Sequence, residues 1–119
     1  MRWRSPISAL AWLALAAAAL AASCQVHAQG LQPPQAALQY RSLLTRTAHA
    51  GWGMDAPLAV FAAQVHQESG WRPDAISHVG AQGLAQFMPA TSRWIATQAP
   101  ELAAPQPYNP AWALRALVT

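Results

Sequence analysis

The sequence predicts a mainly α-helical domain, and three observations support that prediction. Apolar residues recur at helical spacing in several segments of residues 35–119. Proline and glycine separate these segments, as expected of short helices joined by turns. Only 9% of the residues are charged and six are tryptophan, which argues against disorder and against a long solvated helix. A chain of 119 residues has room for one domain at most.

The first two predicted helices follow one another across a short turn. Residues 35–50 have a single apolar face, made by Tyr40, Leu43, Leu44 and Ala48. Residues 51–53 are predicted to end this helix, and Asp55 to cap the next one. The apolar stripe of the second helix consists of Leu58, Phe61, Ala62 and Val65. Gly70 is predicted to end it, because glycine readily adopts the left-handed conformation that often closes a helix.

Proline and glycine residues also divide the second half of the domain into short segments. Residues 72–83 are predicted to form a loop because they contain one proline and two glycines, and a short β-hairpin within residues 75–84 is an alternative there. A third helix is predicted from Pro89 to the residue before Pro100. The pair Asn109-Pro110 predicts the start of a last helix, because asparagine caps helices and proline favours their first position.

The first 28 residues have the organisation of a secretory signal peptide. Arg2 and Arg4 give a positive start, and residues 6–22 are almost wholly apolar and carry no charge. Val26-His27-Ala28 supplies small residues at a cleavage site, so the cut is expected before Gln29. Residues 29–36, which include two consecutive prolines, are predicted to be a linker.

Two other interpretations of the amino terminus remain open. Residues 6–22 are just long enough to span a bilayer as an uncleaved anchor. Residues 20–24 (Leu-Ala-Ala-Ser-Cys) resemble a bacterial lipobox in which Cys24 would be lipidated, although alanine stands where leucine is usual. With a cleaved signal the remaining chain has no cysteine and therefore no disulfide. All three interpretations place the protein outside the cytoplasm.

The positive charge of the chain belongs mainly to its first residues. The formal net charge is +3, but removal of residues 1–28 leaves five arginines against four acidic residues. With a net charge of only +1, the remaining chain lacks the clustered basic surface that binding to nucleic acid requires. The sequence therefore predicts no nucleic-acid partner.

One of the four acidic residues stands apart from the others. Glu68 lies at the edge of the apolar stripe of the second helix and in its last turn. Partial burial and the helix dipole both disfavour the ionised carboxylate there, which suits a general acid. The alternative is a solvated glutamate at an exposed helix end. The other three acidic residues have ordinary positions. Asp55 is predicted to cap a helix, Asp74 to lie in a turn and Glu101 to lie in a solvated connection.

Other kinds of chemistry find little support in the sequence. The three histidines at 49, 66 and 78 lack the spacing of metal ligands, so no metal site is predicted. There is no nucleophile-elbow serine and no phosphate-binding loop, and no cofactor is predicted. Trp71, in the loop beside Glu68, is the tryptophan that is predicted to stack on a substrate, whereas most of the others are assigned to the core.

Four short motifs together resemble a known family. In order along the chain they are Glu68-Ser69-Gly70, Ala75-Ile76-Ser77, residues 80–86 (Gly-Ala-Gln-Gly-Leu-Ala-Gln) and Met88-Pro89-Ala90-Thr91. Their order and spacing are similar to the opening of the soluble lytic transglycosylase (SLT) domain, with a looser match from Tyr40 onward. The resemblance implies a lysozyme-like, mainly helical fold and action on the glycan strands of bacterial peptidoglycan.

The resemblance also implies roles for individual residues. Glu68 stands where the family keeps its catalytic acid, and Ser77 where it has a serine near that acid and the N-acetyl group. Gln86 and Met88 match residues of the groove that contact the sugar. Ala85 departs from the family, which usually has methionine there.

A second departure concerns the end of the domain. The family has a later Ala-Tyr-Asn motif, and residues 107–110 (Pro-Tyr-Asn-Pro) fall upstream of its place. Residues 37–119 are therefore expected to be the N-terminal portion of an SLT domain whose C-terminal part is missing.

The reaction that the resemblance implies uses one carboxyl group. Glu68 would cleave the β-1,4 bond between N-acetylmuramic acid (MurNAc) and N-acetylglucosamine (GlcNAc), leaving a 1,6-anhydro-MurNAc end. One alternative is a muramidase of the same fold that uses Asp74 and water. Another is a truncated, non-catalytic protein that binds peptidoglycan. The process remains open among wall turnover, a secretion system, a pilus and a phage apparatus.

Overall fold

The computed structural model describes residues 32–119. The predicted signal peptide, the alternative anchor over residues 6–22 and Cys24 lie outside the described residues. Within the described range the α-helices are α1 (Gln35–Trp52), α2 (Leu58–Ser69), α3 (Pro89–Gln98) and α4 (Pro110–Val118), with a 3-10 turn at Pro100–Leu102. The prediction of a mainly helical domain is confirmed. None of the helices in residues 32–119 has the length and apolarity needed to cross a bilayer.

The first helix begins at the predicted residue and ends two residues later than predicted. Helix α1 starts at Gln35, so the last two residues of the predicted linker are helical. It buries Tyr40, Leu44 and Ala48, which are spaced by four residues and face the core. Gly53, whose positive φ of 76° suits glycine, ends the helix and donates its N–H to the His49 carbonyl.

The predicted cap of α2 is wrong, whereas its predicted end is confirmed. The helix begins at Leu58, and no side chain caps it. Pro57 disfavours helical backbone at the residue before it, so the chain becomes helical only beyond Pro57, too far along for Asp55 to cap it. At the other end Gly70 is left-handed (φ 59°, ψ 33°) and donates its N–H to the His66 carbonyl.

Helix α4 has the strongest local start signal of the domain. The Asn109 side chain accepts hydrogen bonds from the backbone N–H groups of Ala111 (2.9 Å) and Trp112 (3.3 Å), and Pro110 occupies the first position. The predicted cap is therefore confirmed. Helix α4 packs mainly against α1, and the two helices contribute most of one apolar core.

Two clusters of buried side chains hold the helices together. The larger joins α1, α2 and α4 with two loop residues, Trp71 and Leu84. The smaller lies around α3 and the 3-10 turn and includes Ile95, Leu102 and Trp112. The Trp112 Nε1 donates to the Leu102 carbonyl at 3.3 Å, so α4 contributes to both clusters.

The connection between α2 and α3 contains very little regular β-structure. Two isolated antiparallel bridges form, between Ile76 and Gln82 and between Gln82 and Phe87. Of the hairpin that was an alternative for residues 75–84, the structure has one antiparallel bridge, between Ile76 and Gln82, with a tight turn on either side of Gln82. Glycines with positive φ at Gly80 (88°) and Gly83 (75°) make these turns sterically accessible.

Candidate active site

Glu68 lies in the last turn of α2, which is fixed by short-range hydrogen bonds. The Ser69 Oγ donates to the Val65 carbonyl at 3.3 Å, and the Arg72 Nε donates to the Ser69 carbonyl at 3.1 Å. The arginine thereby satisfies one of the carbonyls that the end of a helix leaves without a partner. These bonds fix the backbone on the C-terminal side of Glu68.

The expected partial burial of Glu68 is wrong, because the residue is exposed in the structure. The buried stripe of α2 runs through Phe61, Val65 and Ser69. Glu68 is not part of that stripe, and its side chain is exposed among the described residues. Its surroundings in residues 32–119 are therefore those of a solvated carboxylate.

Trp71 occupies the core rather than the surface. Its side chain is only 4% exposed and stacks on Tyr40 of α1. Its backbone is left-handed, with φ of 67°, directly after the left-handed Gly70. Such a conformation is strained for a bulky residue. The indole ring is placed to stabilise the turn after Glu68, and in this conformation it presents no open face for the sugar stacking that the sequence predicts.

Ser77 organises the first tight turn of the loop after α2. Its backbone N–H donates to the Ala81 carbonyl at 2.9 Å, and its Oγ accepts from the Ala81 N–H at 3.0 Å. A hydroxyl that accepts one hydrogen bond still has a hydrogen to donate. Ser77 is half-buried, so this donor lies at the surface of the loop rather than deep inside it.

Gln86 ties the second turn to the first. Its Nε2 donates to the carbonyls of Gly83 at 2.9 Å and Ala75 at 3.2 Å. Its own backbone is left-handed, with φ of 50°. Both amide hydrogens are thus used inside the loop, and the Oε1 atom is the part of the side chain left for a ligand.

Met88 lies where the loop enters α3. It occupies the N-cap position of that helix in extended conformation, and its side chain is 41% exposed. An unbranched, polarisable side chain of this kind adapts to the irregular apolar faces of a ligand.

The loop of residues 75–88 therefore brings three of the predicted site residues into one hydrogen-bonded unit. Ser77, Gln86 and Met88 all belong to it, and the Ala75 N–H donates to the Arg72 carbonyl next to the end of α2. Glu68 lies four residues before Arg72 in the sequence, at the end of α2. Trp71 supports the same junction from inside the core.

One structural contact of this loop could not be read from the sequence. Gly83 lies directly against the backbone of Pro107, and a Cβ atom added to Gly83 would be 1.8 Å from the Pro107 carbonyl oxygen. The sequence indicates that Gly83 permits a turn, but the neighbour that requires glycine there comes from a distant segment. No local pattern signals such an approach.

A separate groove lies at the carboxyl-terminal ends of α1 and α4. Its volume is about 720 Å³, and its walls include Arg46, Trp52, Glu101 and Arg115. Glu68 and the loop of residues 75–88 do not line it, so this groove is distinct from the candidate site. Within residues 32–119 there is also no group of three or more His, Cys, Asp and Glu side chains that could hold a metal ion.

Comparison with known protein families identifies the domain. A family model described as the transglycosylase SLT domain matches residues 45–116, which is more than half of the chain. The chain belongs to the transglycosylase SLT domain family. No curated protein and no solved structure matches the chain in the corresponding searches.

The matched region of this SLT domain includes the whole candidate site. It extends from the middle of α1 through most of α4, and it contains Glu68, Trp71, Ser77, Gln86 and Met88. Membership of the SLT family indicates transglycosylase chemistry on peptidoglycan in general terms. The mainly helical architecture agrees with a lysozyme-like SLT domain.

Proposed function

We propose that this SLT domain is a lytic transglycosylase that cleaves the β-1,4 bond between MurNAc and GlcNAc. Glu68 donates a proton to the glycosidic oxygen as the bond from that oxygen to the MurNAc anomeric carbon breaks. The Glu68 carboxylate then accepts the proton of the MurNAc 6-hydroxyl, whose oxygen bonds to the anomeric carbon. The product carries a 1,6-anhydro ring, and the acid is regenerated.

The observation that carries this proposal is the position of Glu68 within the matched SLT region. It is the last residue but one of α2, and the polar groups of the loop that follows this helix are held by internal hydrogen bonds. The nucleophile in this reaction belongs to the substrate, so positioning replaces a second protein carboxylate. Ser77, Gln86 and Met88 supply a donor, an acceptor and an apolar contact for the sugar chain. The reaction requires no metal or cofactor.

Because Glu68 is exposed, the proposal requires the bound substrate to change the surroundings of the Glu68 carboxyl group. A general acid must hold a proton at the moment when the glycosidic bond breaks. A glycan strand that covers Glu68 removes water from it and favours the protonated form. Substrate binding is thus expected to create the environment in which the acid functions.

The proposed site of action is outside the cytoplasm, where peptidoglycan lies. Support comes from the pattern of residues 1–28, with Arg2 and Arg4 ahead of an apolar segment. The intact mass of the protein recovered after expression tests this. A chain that starts at Gln29 supports cleavage, a lipid-modified chain that starts at Cys24 indicates a lipoprotein, and an unprocessed chain indicates an anchor.

The function is tested by digestion of purified insoluble peptidoglycan. Wild-type protein should release soluble muropeptides, and Glu68→Gln should release none above background, since the amide keeps the shape of the side chain but cannot donate the proton. Glu101→Gln is the matched control, because Glu101 is exposed in the 3-10 turn and should tolerate the same change. Equal release by wild type and Glu68→Gln would contradict the assignment. Binding without release by wild type would favour a non-catalytic peptidoglycan-binding protein.

A further inference from the structure

The segment that precedes α4 is attached to the candidate site at two points. The first is the contact of Gly83 with Pro107, where the two backbones approach so closely that no side chain fits between them. The second is the packing of Phe87 against Trp112 of α4, with ring centroids 6.1 Å apart and planes nearly perpendicular. Both contacts join residues 83–87 of the loop to residues 107–112.

Tyr108 lies between these two points of attachment. Immediately after it, the Asn109 N–H donates to the Gln106 carbonyl at 2.9 Å, and the Asn109 side chain caps α4. The backbone of Tyr108 is therefore held by the glycine contact before it and by the helix cap after it. Tyr108 as a whole is 43% exposed.

An aromatic ring that is fixed at its backbone and open at its surface is suited to binding a carbohydrate. Its apolar face can cover the C–H groups of a sugar ring, and its hydroxyl can exchange hydrogen bonds with sugar hydroxyls. Little conformational entropy is lost on binding, because a tyrosine side chain has few rotatable bonds and its backbone is already ordered. Trp71 does not have this accessibility, because it is buried.

We propose that Tyr108 is a sugar-contact residue that extends the glycan site from the loop of residues 75–88 onto the segment before α4. The inference rests on the proposed function, since the ligand is the same glycan strand. The ligand class at Tyr108 is one pyranose ring of that strand, bound through an apolar face and adjacent hydroxyls.

Binding to insoluble peptidoglycan tests this, with Glu68→Gln as the parent so that turnover does not interfere. Adding Tyr108→Ala should weaken binding roughly two- to tenfold, the size of one aromatic contact. Adding Tyr108→Phe should retain most of the affinity, because the ring remains. Trp94→Ala is the control, since Trp94 is 62% exposed on α3 and should change binding little.

The outcomes separate this inference from the proposed function. If the Glu68→Gln parent binds and Tyr108→Ala binds equally well, the sugar-contact role is contradicted and the proposed function stands. If the parent fails to bind peptidoglycan, the proposed function is contradicted as well. Thermal unfolding of each variant is measured first, and Tyr108→Leu, which keeps an apolar side chain without the ring, replaces Tyr108→Ala if the latter fails to fold. Full affinity of the leucine variant would equally contradict the role.

Discussion

The indole ring of Trp71 stacks on the phenol ring of Tyr40, with centroids 6.2 Å apart and planes within 9° of parallel. This pair connects α1 to the turn that follows Glu68. It also holds the backbone of Trp71 in the left-handed region, which a tryptophan would otherwise avoid. The geometry after the proposed catalytic acid therefore depends on a side chain in another helix.

Removal of the Trp71 ring should destabilise the domain substantially. We expect Trp71→Ala to lower the free energy of unfolding by about 3–5 kcal/mol, because a large buried aromatic group leaves a cavity. Trp71→Phe should cost less, since it keeps a ring and removes a buried Nε1 that has no hydrogen-bond partner among the described residues. Urea unfolding measures both changes.

Trp94→Ala provides the comparison for these variants. Trp94 is the same residue type but 62% exposed, and its loss should change the free energy of unfolding by about 0.5 kcal/mol or less. Equal destabilisation by Trp71→Ala and Trp94→Ala would show that Trp71 is not in the core.

Gly83 should be far less tolerant of alanine than Gly80. Both glycines have positive φ, so alanine is strained at either position and should cost about 1–3 kcal/mol at Gly80. At Gly83 an added Cβ also collides with the Pro107 carbonyl, whereas at Gly80 it meets nothing within 4 Å. We therefore expect Gly83→Ala to lower the thermal midpoint clearly more than Gly80→Ala. A smaller or equal effect would contradict the close approach of the two segments.

The two candidate helix caps should respond differently to removal. Asn109→Ala should destabilise the domain by about 1 kcal/mol, because two backbone N–H groups at the start of α4 lose their acceptor. Asp55→Ala should change stability little, because no side chain caps α2. Chemical denaturation of the two variants tests the contrast, and a larger loss for Asp55→Ala would reverse it.

Local chemistry explains which parts of the fold were predictable. Gly70 and Asn109 act on backbone groups within a few residues of themselves, so their roles can be recognised from the sequence alone. Asp55 has the right residue type for a cap, but the nearby Pro57 moves the start of α2 beyond its reach. The spacing of apolar residues therefore predicts where the helices lie, but the start of α2 is predicted wrongly.

The candidate site shows the same division between local and distant determinants. Ser77 lies within residues 72–83, which the sequence predicts to be a loop, and its side chain bonds only four residues away, to Ala81. Gln86 lies beyond that predicted loop and reaches back eleven residues to Ala75. The burial of Trp71 depends on Tyr40 in a different helix, and the contact of Gly83 depends on Pro107. These contacts join residues that are distant in the sequence, so the spacing of neighbouring residues does not predict them.

The mass of the glycan ends released from peptidoglycan tests the proposed reaction most directly. Wild-type protein and Glu68→Gln are incubated with the same purified peptidoglycan, and the soluble products are analysed by mass spectrometry. If Glu68 directs attack by the MurNAc 6-hydroxyl, wild-type products carry anhydro ends that are lighter than hydrolysed ends by one water, and Glu68→Gln yields none. Hydrolysed ends from wild-type protein would contradict the transglycosylase reaction and favour a muramidase that uses water.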